Sequence, residues 1–141
     1  MFLSIDDYKA VCDDFEFETI QANTEIRQQA EAAAFEQISS YTRDRYDMEK
    51  AFSKEGRQRN PMLVQVAVNV SLYIMVHRLP QGMGSDRREQ LYDDAIKWLR
   101  DVQASKASPD LPKYTSDTGD TDAHNPVRFG SAINKVKGCT W

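Results

Sequence analysis

The sequence predicts an all-α protein: a small bundle of about four helices followed by a long, mostly irregular C-terminal arm. Three observations carry that prediction. Apolar residues recur at three- and four-residue steps through much of residues 1–106. A run that is apolar on nearly every face, Met62 to Val76, opens on Asn60-Pro61, a capping residue followed by a proline suited to the first helical position. From Ala107 to Trp141 the composition shifts to Pro, Gly, Ser, Thr and Asp, and no helix-length period survives. The chain therefore divides into a helical core, 1–106, and an arm, 107–141, expected to take its order from a partner.

Ser4 followed by Ile5-Asp6-Asp7-Tyr8 reads as a capped helix of two to three turns, with Ile5, Tyr8, Val11 and Cys12 on its apolar face. Phe15 and Phe17 lie in an acidic linker and are expected to pin that helix to the body. A long helix follows, from Asn23 or Thr24 to about Tyr46, striped by Ile26, Ala30, Ala33, Ala34, Ile38, Tyr41 and Arg45. Its alanines allow close helix approach and favour the helical backbone. The cluster Arg43, Asp44, Arg45 and Asp47 beside Tyr46 reads as solvated surface or as a contact between subunits.

Residues 49–60 read as a polar connection containing Gly56. Lys50, Lys54, Arg57 and Arg59 make this the most basic local run, a loop facing solvent or a partner, with phosphate contact as an alternative. The helix over 61–78 is packed on several sides, and Leu79-Pro80-Gln81-Gly82 ends it. A fourth helix, capped by Ser85, presents Leu91, Ala95, Trp98, Leu99 and Val102 on one stripe and fades by Ser105. The core anchors expected from these stripes are Ile38, Val70, Ile74, Leu91, Trp98 and Leu99. In the arm, 127–129 and 132–136 suit short strands paired with a neighbour.

One domain is the natural count for 141 residues. A net charge of −4 gives no overall positive footprint for duplex DNA. Two cysteines, Cys12 and Cys139, are too few and too far apart for a disulfide framework or zinc knuckle, and a reducing compartment is expected. The opening reaches an acid within six residues without a basic leader, unlike a signal peptide. The Met62–Val76 run is interrupted by Gln65, Asn69 and Ser71 and falls short of the ~20 residues of a membrane span.

Chemistry is sparse. His77 and His124 are the two histidines, and His77 suits the negative end of its helix. Asp117, Asp120, Asp122 and His124 have metal-like spacing but lack the order of a calcium loop, and they read as an ordinary polar loop. No nucleophile elbow, phosphate loop or dinucleotide fingerprint occurs. The expectation is a non-enzymatic protein without metal or cofactor.

Three segments carry a resemblance: F-L-S-I-D-D-Y at Phe2–Tyr8, I-S-S-Y-T-R-D-R-Y at Ile38–Tyr46, and N-P-x-L-V-x-x-A-V-x-x-S-L-Y at Asn60–Tyr73. With the helix bearing Tyr92, Ala95, Trp98 and Leu99, residues 2–104 resemble the small head–tail connector, or adaptor, proteins of tailed phages and Mu-like prophages. The resemblance implies a structural protein of the virion neck, assembled in the host cytoplasm as a ring, commonly of twelve copies, beneath the portal protein. Such a ring offers a docking surface to a stopper or tail protein and lines the genome channel. Its negative charge would let double-stranded DNA pass without specific binding.

Carried over residue by residue, the resemblance implies that Arg43, Arg45 and Tyr46 support an inter-subunit contact. It also implies that Arg128, Phe129, Ile133, Lys135 and Trp141 are the arm's contacts with a partner. Two other readings stay open. One is a stopper or tail-completion protein of the same neck, and the other a small helical regulator that binds nucleic acid through Lys50–Arg59.

Overall fold

The computed structural model describes residues 1–80 and 85–115. Their fold is all-α, with six α-helices, one 3-10 turn and no strand among the described residues. The order is α1 Ile5–Lys9, α2 Asp14–Gln21, α3 Thr24–Thr42, α4 Met48–Ser53, a 3-10 turn Gly56–Gln58, α5 Pro61–Val76 and α6 Ser85–Gln103.

Helix α5 is the centre of the bundle. Residues 66–72 are buried without interruption, as an all-round apolar helix requires. Helices α3 and α6 flank it and touch each other, while α1 and α2 cover its remaining side. Ile38, Val70 and Leu99 are fully enclosed. Ile74 and Trp98 are half-buried against this core, and Leu91 is half-buried.

The helix starts share one device. The side chains of Asp13, Asn23, Asp47 and Asn60 accept the backbone N–H of Glu16, Ile26, Lys50 and Leu63, at 2.8, 2.9, 3.2 and 3.0 Å. Each satisfies a donor that the first turn would leave orphaned. At Ser4 the backbone N–H donates instead to Asp7 Oδ2, at 2.7 Å.

The bundle has more helices than the periodicity suggested. The acidic linker is helix α2: Asp13 caps it, and Phe17 and Ile20 turn into the core. Phe17 stacks on the Tyr8 ring at 4.9 Å. The polar connection also holds helix α4, which buries Met48 and Ala51. Phe52, on α4, joins Phe2 and Phe35 in an aromatic cluster with centroids 4.5–5.9 Å apart. Helix α3 stops at Thr42, short of Tyr46. Short helices escape a period search because two turns hold too few apolar positions to define a stripe.

Between α2 and α3 the chain turns on one residue. Ala22 has φ 54° and ψ −53°, and the Asn23 N–H donates to the Gln21 carbonyl across it. That is the γ-turn whose central residue is strained when it carries a Cβ.

The start of the arm lies on the core. Leu111 is buried, Asp47 N–H donates to the Pro112 carbonyl at 2.8 Å, and Asn60 Nδ2 donates to the Asp110 carbonyl at 3.1 Å. The first part of the arm thus rests against the core at residues 110–112.

Candidate partner interface

Long arginine side chains tie the bundle together at its helix ends. Arg45 donates to the carbonyls of Val102 and Ala107, Arg78 to Ile20 at 2.8 Å, and Arg88 to Val11 at 3.4 Å. Val102 and Ile20 lie in the last turns of α6 and α2, and Val11 just follows α1. Terminal carbonyls of this kind lack intrahelical partners, and a cation favours the negative end of the helix. Arg88 is fully buried and also pairs with Glu16, at 2.9 Å.

Inside the bundle Tyr8 donates from its hydroxyl to Glu31 Oε1 at 2.7 Å. Arg27 Nε stands 3.5 Å from the same oxygen. Burial and then the Glu31 carboxylate push the Tyr8 phenol well above its ordinary range, so it stays a donor. Cys12 is buried against Tyr8, and burial likewise raises its thiol.

These placements bear on the expected subunit contact. Tyr46 is buried, with the Arg45 guanidinium 5.2 Å from its ring centroid. Arg45 is engaged with α6 and the root of the arm. Arg43 stands on the surface and pairs with Glu36 at 2.7 Å. Arg128, Phe129, Ile133, Lys135 and Trp141 lie outside the described residues, as does the Asp117–His124 cluster.

The surface with the most distinctive chemistry lies where α4, the 3-10 turn, the start of α5 and the arm root meet. A groove of about 350 Å³ opens there. Ala51, Pro61, Leu111 and Pro112 give it apolar walls, and Lys54, Arg57 and Arg59 line it with cations; Asp110 is the acid among its lining residues. Gly56 makes the turn possible, with φ +58° and open space where a Cβ would stand.

Arg59 is fixed from behind. Its Nη1 donates to the Phe2 carbonyl and to Asp7 Oδ2, both at 2.6 Å, and its Nη2 to Asp7 Oδ1 at 3.2 Å. Burial works to raise the Asp7 carboxyl, but hydrogen bonds from Arg59 and Ser4 outweigh it and hold it below its ordinary value. Lys54 and Arg57 are exposed, and their side chains make no hydrogen bond or ion pair among the described residues.

The basic run is visible in the sequence; the wall supplied by the arm root is not, because that contact joins residues about fifty positions apart. Among the described residues no group of His, Cys, Asp and Glu gathers as a metal site, and no helix is long and apolar enough to cross a membrane.

Fold and groove define a class: a small all-α protein with a basic, partly apolar groove at one end of its central helix and an arm rooted beside it. The family described as bacteriophage Mu, Gp36 matches residues 4–127, and the chain belongs to that family. It is a phage protein, and the family points to a structural or morphogenetic role. The match runs past the core into the arm. No curated protein and no solved structure matches the chain.

Proposed function

We propose that this protein is a non-enzymatic head–tail connector, an adaptor that forms a ring between the portal and the next neck or tail component and lines the genome channel. The observation that carries the reading is family membership across residues 4–127, joined to a core that anchors the root of a polar arm on its own surface. A rooted arm leaves the bundle from a fixed point, which suits a segment that must find a neighbouring ring. Its proposed partners are the portal protein, a stopper or tail protein, and further copies of this chain.

The deciding experiment is the mass of the complex formed with the portal ring encoded by the same phage. A discrete species with one copy per portal subunit, or a simple ratio to it, is expected. Failure to bind an intact portal ring under assembly conditions rejects the reading.

Lys54 and Arg57, without a partner among the described residues, favour a second reading, a nucleic-acid-binding regulator. It requires duplex binding that weakens steeply with salt and is lost when both residues are neutralised. The net charge of −4 opposes it.

A further inference from the structure

We propose that Phe15 of one copy inserts into the basic groove of the next, so that a head-to-tail contact between helix α2 and the α4–α5 corner joins neighbouring subunits. The inference rests on the ring-forming reading above and names the contact that would build the ring.

Phe15 is 81% exposed while Phe17, two residues on, is 1% exposed. Helix α2 therefore directs one aromatic into its own core and holds the other in water. Asp14 and Glu18 are exposed beside Phe15; Glu18 stands one helical turn away, on the same face. Asp14 has a long surface pair with Lys9, at 3.4 Å, and the Glu18 side chain has no partner among the described residues. This surface is an apolar anchor rimmed by carboxylates.

The groove has the opposite pattern, with apolar walls from Ala51, Pro61 and Leu111 and cations at Lys54 and Arg57 that pair with nothing among the described residues. Aromatic anchors in pockets carry much of the energy of small interfaces, and complementary charge at the rim steers them into register.

Geometry makes the contact intermolecular. The groove is built at the start of α5, on its capping residue Asn60 and its first residue Pro61. Helix α2 is tied by Arg78, just past the other end of α5, to the Ile20 carbonyl. A helix of that length spans roughly 24 Å at 1.5 Å per residue. Two unlike, complementary patches at opposite ends of one subunit repeat from copy to copy, and such a contact closes into a ring when the rotation between copies permits.

Two full-length variants test this. Lys54→Glu with Arg57→Glu reverses the groove; Phe15→Ala with Glu18→Ala removes the anchor. All four side chains are exposed, so both proteins should fold. Each variant alone should self-associate about tenfold or more weakly than wild type, the loss of one hot-spot residue. Mixed in equal amounts, they retain one intact groove and one intact anchor between them. Native mass spectrometry should then show a one-to-one pair that grows no further.

Unchanged self-association of the variants, or a mixture that forms no pair, overturns the contact. So does a wild-type protein that stays monomeric both alone and on the portal ring. Groove reversal that abolishes salt-sensitive duplex binding but leaves self-association intact assigns the groove to nucleic acid, and also overturns it. If both variants still load onto the portal as wild type does, the adaptor reading stands and this contact alone fails.

Discussion

The Arg59–Asp7 pair fixes both the N-terminal segment and the inner wall of the groove, and its strength can be worked from the geometry. The two side chains retain only 17% and 13% of their exposure, so water screens them far less than a surface pair worth 0–1 kcal/mol. They are not sealed as deeply as pairs whose disruption costs about 3–5 kcal/mol. Two parallel charge-assisted hydrogen bonds place the coupling between these limits, at about 2 kcal/mol.

Asp7→Asn keeps an acceptor for the Ser4 N–H and nearly the same volume. A double-mutant cycle with Arg59→Met therefore isolates the charged pair. Urea melts of the four proteins at pH 7 should give that coupling, with Arg59→Met the costlier single change because it also strands the Phe2 carbonyl. Because the folded Asp7 carboxyl lies below its ordinary value of 3.8, the unfolded chain binds its proton first on acidification. The contribution of Asp7 is thus complete above about pH 4–5 and is lost as pH falls through the folded value. The stability gap between wild type and Asp7→Asn should narrow along that same limb. A coupling below about 0.5 kcal/mol, or a gap that ignores pH, would refute the reasoning.

Ala22→Gly should stabilise the protein by about 1 kcal/mol by relieving the positive φ of the γ-turn; a lower melting midpoint would contradict it. Leu111→Ala should cost about 2 kcal/mol, the lower end for a buried leucine since its site lies at the edge of the core. Deleting 116–141 should leave the helical circular dichroism signal, whereas deleting 107–141 should lower the melting midpoint through loss of the Leu111 and Pro112 contacts. Trp98→Ala should cost about 2 kcal/mol, below the 3–5 of a fully enclosed aromatic, because Trp98 is half-buried. In a Cys139→Ser background Cys12 should react with a thiol reagent at neutral pH only as fast as the fold opens, since burial keeps the thiol protonated. Rapid labelling under native conditions would show the site to be accessible.

The elements legible in the sequence were those whose signal is local. Asn60-Pro61 and the all-round apolar run located α5 to within two residues at each end, and Ala30, Ala34 and Ile38 gave the buried stripe of α3. The linker carrying Phe15 and Phe17 was misread because its acids look like solvent-facing loop, although Asp13 is in fact a helix cap. Arg27 and Glu31 look like surface charge on α3, yet both are buried. They are compatible with the interior because Tyr8, from a helix far away in sequence, completes their pairing. The groove was half legible: its cations are contiguous, but its apolar wall comes from Leu111 and Pro112. No local pattern announces that return.

The arginines explain how so small a bundle can be assembled from such short pieces. Helices of five, eight and six residues, as α1, α2 and α4 are, expose unpaired carbonyls out of proportion to the apolar area they bury. A lysine could supply charge at those ends but not a rigid, multi-donor fork. Arg59 uses its fork to join Phe2 and Asp7 at once, and Arg88 joins Val11 to Glu16. Each clamp bridges segments more than fifty residues apart. The same logic bears on the groove: of its three lining cations Arg59 is held by the fold, whereas Lys54 and Arg57 are bonded to nothing among the described residues and stand open to a partner.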